Sequence, residues 1–213
     1  IDIGGIDASA NLSTVSITAD GVNSDITQGN EITTAGGGIS AVTITASDRA
    51  NIDMTAGDLT VGAGLIGAIA ISATGRATVD LNGFAATSSA TTTAGAYSIT
   101  TGTRGTIDMG TSDISTDGSL TSLTVTVGED STLNATTGVI TAAGTIGATT
   151  VSVAADATTS GQINIGQAAT VHTLASINLS ADAANVGDID LIGTTATKLT
   201  VTLDGSSAIN VAT

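Results

Sequence analysis

Short apolar–polar–apolar triplets recur along this chain of 213 residues, separated by clusters of Gly, Asp, Asn and Ser. Alternation with a period of two is the pattern of a strand with one buried face. The apolar residues that open these segments are Leu12, Ile39, Ile66, Leu120, Ile146 and Leu174, at intervals of 27, 27, 54, 26 and 28 residues. A unit of about 27 residues therefore repeats, with Thr93 filling the phase between Ile66 and Leu120. After each opener comes a first triplet: Val15-Ser16-Ile17, Val42-Thr43-Ile44, Ile69-Ala70-Ile71, Tyr97-Ser98-Ile99, Leu123-Thr124-Val125, Val151-Ser152-Val153, Ile177-Asn178-Leu179 and Leu199-Thr200-Val201.

A second triplet carries an acid or amide at its centre: Ile1-Asp2-Ile3, Ile52-Asp53-Met54, Val79-Asp80-Leu81, Ile107-Asp108-Met109, Ile163-Asn164-Ile165, Ile189-Asp190-Leu191 and Ile209-Asn210-Val211. Ser24-Asp25-Ile26 and Leu133-Asn134-Ala135 read as weaker copies. A third strand is fainter, at Leu59-Thr60-Val61, Ile114-Ser115 and Val139-Ile140-Thr141. Three strands of three to five residues per repeat predict an all-β parallel β-helix, or β-solenoid. The expectation is a single domain over residues 1–213, with about eight coils of about 27 residues. A β-sandwich is the alternative, but it does not require so regular a phase.

Gly62-x-Gly64-x-x-Gly67 has the spacing of a dinucleotide-binding loop. That loop must open a helix, whose N-terminus holds the pyrophosphate. Here the glycines lead into Ile69-Ala70-Ile71, a strand pattern, and Ile66 is itself a repeat position. The register explains these glycines better than a nucleotide does.

Composition narrows the reading further. Ser and Thr number 62, Pro and Cys are absent, and there are one Phe, one Tyr and no Trp. Small β-branched residues suit a narrow stacked core, and Pro would remove ladder hydrogen bonds. The net charge is −15, with Arg49, Arg76, Arg104 and Lys198 as the only bases. This weighs against nucleic acid and anionic membrane surfaces as partners, since both need clustered Lys or Arg. The longest run free of polar side chains, Val61 to Ile71, is too short to span a bilayer. No signal peptide is visible and the first residue is Ile1, which suggests a processed or excerpted piece of something longer. His172 is the only His and sits in a turn-like stretch, Cys is absent, and no long loops enclose a groove. The expectation is that the protein is not an enzyme.

Three sets of outward positions could carry chemistry. Asp53, Asp80 and Asp108 fall in consecutive coils and would form a column. Carboxylates about 4.8 Å apart repel by roughly 1 kcal/mol in water. Solvent, a nearby Arg or a bound cation must relieve this, and hard oxygen ligands suit Ca²⁺. A second acidic series follows the first strand: Asp20, Asp48, Glu129, Asp156, Asp182 and Asp204. Candidate Ca²⁺ ligands are thus Asp53, Asp80, Asp108, Asp20, Asp156, Asp182 and Asp204, against a plainer reading as solvated, turn-forming acids. Another column runs Arg49, Arg76, Arg104 and Asp130, in which Arg104 and Asp130 would form a surface ion pair. The outward side of the first strand presents Thr43, Thr45, Ser98, Thr100, Thr124, Thr126, Thr200 and Thr202, with Ser16, Thr18, Ala70, Ser72, Ser152, Ala154, Asn178 and Ser180. Such a flat Ser/Thr face resembles the ice-binding face of some antifreeze solenoids, and equally suits packing on another solenoid.

Thr/Gly/Ala-rich, acidic, Cys-free and Pro-free repeats resemble the repetitive regions of prokaryotic surface proteins: S-layer proteins, adhesins and giant extracellular β-solenoids. The resemblance covers the whole chain and rests on composition and architecture. It implies an extracellular or cell-surface location and frequent Ca²⁺ dependence. The expected role is a stiff wall, filament or adhesin stalk. The alternative is a binding module for ice or glycan that uses the flat Thr/Ser face. Ile1-Asp2-Ile3 and Ile209-Asn210-Val211 read as the same strand in the same phase, 208 residues or eight coils apart. This predicts head-to-tail and lateral assembly with itself, or stacking on neighbouring repeats of a longer chain.

Overall fold

The computed structural model describes residues 1–154, 158–165, 172–181, 188–191, 194–196, 199–203 and 211–212, with side chains for 1–134, 140–152 and 154. It is an all-β parallel β-solenoid of about five turns, with no helix among the described residues. Turn one comprises β1 (Asp2–Ile3), β2 (Ile6–Ala8) and β3 (Leu12–Asp20); turn two comprises β4 (Asp25–Gln28), β5 (Ile32–Thr34) and β6 (Ile39–Ser47). Turn three holds β7 (Asn51–Asp53), β8 (Leu59–Val61) and β9 (Ile66–Ala73); turn four holds β10 (Thr78–Asp80), β11 (Ala85–Ser88) and β12 (Ala94–Thr101). Turn five holds β13 (Thr106–Gly110), β14 (Asp113–Thr116) and β15 (Leu120–Val127). Each strand pairs in parallel with its counterpart one turn away. Two faces are short. The third, from β3 through β15, has strands of eight or nine residues, longer than the repeat alone predicts.

Inside, like stacks on like. Ile17, Ile44, Ile71, Ile99 and Val125 form one buried column under the long face, beside Val15, Val42, Ile69, Tyr97 and Leu123. No single turn could bury these residues; stacking makes them one core. The phase between Ile66 and Leu120 is filled by buried Ala94, not Thr93, because turn four spaces its opener 28 residues on rather than 27. The same turn carries Tyr97, whose buried hydroxyl donates to the Ile66 carbonyl at 3.2 Å. The ring thus reaches toward the place where its neighbours carry Leu or Ile, and a small residue suffices at 94.

Register corrects further expectations. Leu123 stacks on Thr149 and Val125 on Val151, so turn six presents Thr149-Thr150-Val151 where Val151-Ser152-Val153 is expected. Ile52 stacks on Ile26 and Asp53 on Thr27, so the second triplet of turn two is Ile26-Thr27-Gln28, with Asp25 outside it. Beyond turn five, β16 (Thr132–Ala142) runs through the corner between the two short faces and joins them in one sheet, followed by β17 (Ile146–Val153). Next come β18 (Thr158–Ile165), β19 (His172–Ala181), β20 (Asp188–Leu191), β21 (Thr194–Ala196), β22 (Leu199–Leu203) and β23 (Val211–Ala212). Ile163–Ile165 stacks on 138–140, the third-strand position, whereas Leu133 and Asn134 stack on Thr159 and Ser160. Ile189–Leu191 continues that third-strand line, and Ile189 pairs with Val211 rather than Ile209. Val211 therefore continues the third-strand line rather than the phase of Ile1–Ile3, Ile209 and Asn210 lie outside the described residues, and the structure does not confirm eight coils.

The Gly62, Gly64 and Gly67 spacing has a packing cause. A Cβ at Gly62 would meet the Ala35 carbonyl, one at Gly64 the backbone of Gly37, and one at Gly67 the Ser40 carbonyl. Adjacent turns approach backbone to backbone at this corner, and glycine is what lets them. Buried hydroxyls complete it. Thr34 Oγ1 donates to Gly37 O at 2.6 Å, Ser88 Oγ donates to Gly64 O at 3.1 Å, and Thr116 Oγ1 accepts from Gly118 N at 3.2 Å.

Candidate functional site

Two surfaces stand out, one neutral and one charged. The neutral one is the outward side of the long face. Ser16, Thr43, Ala70, Ser98, Thr124 and Thr150 form one column, and Thr18, Thr45, Ser72, Thr100, Thr126 and Ser152 a second, both in continuous register. Thr43, Thr45, Ser98, Thr100, Thr124 and Thr126 are each half-buried by the turns above and below. Ser72 Oγ donates to Thr45 Oγ1 at 3.2 Å, so hydroxyls link along the column. A third column, Thr14, Ala41, Ala68, Ala96, Ser122 and Ala148, extends the surface with small side chains. It is wide, uncharged and ordered. Thr200 and Thr202 lie on β22, in register with Asn178 and Ser180, so the ladder's backbone continues there. The turn-six register puts Thr150 and Ser152 on this face in place of the expected Ser152 and Ala154.

The charged surface is the corner that follows the long face together with the first short face it leads into, at whose far end the aspartates stand. Asp53, Asp80 and Asp108 stack in register, as the spacing predicts. Each closes its own turn through one oxygen: Asp53 Oδ1 accepts from Thr55 N at 2.9 Å, Asp80 Oδ1 from Asn82 N at 3.0 Å and Asp108 Oδ1 from Gly110 N at 3.0 Å. These are Asx turns, in which a side chain supplies the acceptor that a backbone turn would. Backbone turns follow at once, with Gly57 N, Phe84 N and Ser112 N donating to Met54 O, Leu81 O and Met109 O. Among the described residues no three acids or histidines converge on one point; the aspartates form a line, one per turn.

The described members of the second acidic series, Asp20, Asp48 and Glu129, do not form such a line. Asp20 ends strand β3 and accepts from Ser47 Oγ at 2.5 Å, while Asp48 lies in the next turn at a left-handed φ of 50°. Asp156, Asp182 and Asp204 lie outside the described residues, and the side chain of His172 is not among those described.

Four residues before each stacked aspartate stands an arginine. Arg49, Arg76 and Arg104 all take left-handed backbone, with φ of 69°, 68° and 61°, followed in the same column by Asp130 at 53°. Arg104 Nε lies 3.5 Å from Asp130 Oδ2, both side chains half-exposed, which is the expected pair and the only ion pair among the described residues. The three arginines border an open groove of about 530 Å³ together with Asp48, Thr74, Gly75 and Thr103. Burial pushes the Tyr97 hydroxyl far above the ordinary phenol range, so it stays protonated as a core donor. No protein-family model, curated protein or solved structure matches this chain.

Proposed function

We propose that the chain is a structural, extracellular building element: a stiff β-solenoid that forms a surface layer, filament or adhesin stalk. Turns stack end to end, and neighbouring rods pack through the flat Ser/Thr face. One observation carries the reading. Like side chains stack on like through turns one to five, the inward columns as one core and the Ser/Thr columns as a flat neutral face. Each turn offers the next the same parallel pairing, so a longer array extends without a change of geometry. Extending the repeat over the whole chain makes about eight coils, a rod of roughly 38 Å at about 4.8 Å per coil.

The test is to replace Thr43, Thr45, Thr124 and Thr126 together by Tyr and to compare images of the assembly, with β circular dichroism as the control for folding. Lost lateral order in a folded chain supports the structural reading. Intact assembly with lost adsorption to ice or glycan makes the face a ligand site, and the chain a binding module. A native chain that stays monomeric at high concentration overturns the structural reading altogether.

A further inference from the structure

The flat face leaves the charged corner without a role. Arg49, Arg76 and Arg104 are three of only four basic residues in a chain of net charge −15, and they occupy one position in three consecutive turns. Glycine or asparagine takes a left-handed φ at less cost than arginine does. The motif Arg-x-x-x-Asp then recurs as Arg49/Asp53, Arg76/Asp80 and Arg104/Asp108. A ladder of cations therefore runs along one edge of the first short face and a ladder of anions along the other, and among the described residues only Arg104 reaches a carboxylate within 4.0 Å, that of Asp130.

We infer that this corner is a second lateral contact between two copies of the chain, beside the flat face, the arginine ladder of one copy facing the aspartate ladder of the other and the reverse. The inference rests on the assembly reading and adds a surface to it. Both ladders rise by the same distance per turn, about 4.8 Å, so placing one pair in register places all of them. A two-fold contact uses the same patch on both copies, which a corner carrying both signs satisfies. An approaching copy of charge −15 is repelled elsewhere and attracted here. A dissolved polyanion fits less well, because every arginine has an aspartate four residues on that would oppose it.

The test is self-association by sedimentation velocity at near-physiological salt, with circular dichroism and melting as folding controls. Three triple variants are compared with the native chain: Arg49→Glu/Arg76→Glu/Arg104→Glu, Asp53→Asn/Asp80→Asn/Asp108→Asn, which keeps the Oδ1 acceptor of each turn, and Asp53→Lys/Asp80→Lys/Asp108→Lys. Six exposed pairs, each contributing about two-fold in affinity, make the expected loss on the order of a hundredfold in either charge-reversed chain. Mixing the Glu and Lys chains should restore association. Unchanged association of the Glu chain, or no recovery on mixing two folded chains, overturns the inference. So does an arginine-dependent affinity for a sulfated polysaccharide with association unaffected. If the Lys chain fails to fold, the Glu and Asn chains decide: loss in both supports the contact, and loss in neither overturns it. A native chain that assembles, and loses assembly only in the flat-face variant, overturns this inference alone. A native chain that never assembles overturns the assembly reading with it.

Discussion

The long Ser/Thr face and the Arg/Asp corner are built by the same device and reach opposite results. Stacking copies every side chain's surroundings from one turn to the next. On the long face the copies are neutral hydroxyls and small apolar groups, so neighbours share hydrogen bonds such as Ser72 to Thr45 and nothing is repelled. At the corner the copies are like charges, which oppose one another across each turn by roughly 1 kcal/mol in water. Repetition is free for neutral groups and costly for charged ones. A charged ladder held over three turns therefore points outward, toward something that relieves it.

The largest expected effect separates the inside of the long face from its outside. Ile71 is buried in the column under that face, while Thr100 lies half-buried on its outer side one turn on. Ile71→Ala should lower unfolding free energy by about 3 kcal/mol, because neighbouring turns hold the cavity open. Thr100→Ala should change it by no more than about 0.5 kcal/mol. Denaturant titration of the two variants measures both. Equal effects would mean that the hydroxyl columns, rather than the inward ones, hold the turns together.

The solenoid itself was legible because inward Ile, Val and Leu recur with a fixed period, and the aspartate and arginine columns followed from the same phase. The second short face was less visible. Its inward column reads Thr34, Val61, Ser88 and Thr116, since the corner beyond it needs hydroxyls to satisfy the backbone of Gly-rich loops. An apolar–polar pattern does not register buried hydroxyls, so β5 and β11 went unpredicted. Turn four hid its opener as Ala94 because Tyr97 takes up the space, and turn six hid its triplet because buried Thr149 stands where Leu123 does below. The Asx role of Asp53, Asp80 and Asp108 was foreseeable from their places before turns. The left-handed φ of the arginines was not, because nothing about Arg signals it.

The next effect in size tests whether the aspartates serve the turn or the charge. Asp80→Ala removes the acceptor for Asn82 N and should destabilise by about 1 kcal/mol. Asp80→Asn keeps an oxygen in that place and removes two like-charged neighbours, so it should stabilise by a few tenths of a kcal/mol at low salt. The gain should shrink as salt screens the column. Melting with chelator or millimolar Ca²⁺ at constant ionic strength checks the calcium expectation in the same samples. A calcium-dependent rise in the native chain that Asp80→Asn abolishes assigns the column a cation. No rise leaves the aspartates as turn closers and charge.

The smallest effect bears most directly on why the corner is charged. Gly75 and Arg76 both have positive φ, and Ala77 N donates to Thr74 O at 3.1 Å, the geometry of a type I′ turn. Asparagine suits that position, and Arg76→Asn also removes the middle charge of three. If the arginine acts only outside its own chain, the substitution should raise stability by several tenths of a kcal/mol in thermal melts. It should also weaken self-association several-fold in sedimentation, since each copy loses one cation facing the other's aspartates. A variant that melts lower and associates as before would show that Arg76 works within its own turn. The contrast between a neutral face that stabilises the rod and a charged corner that recruits a second one would then fail at its centre.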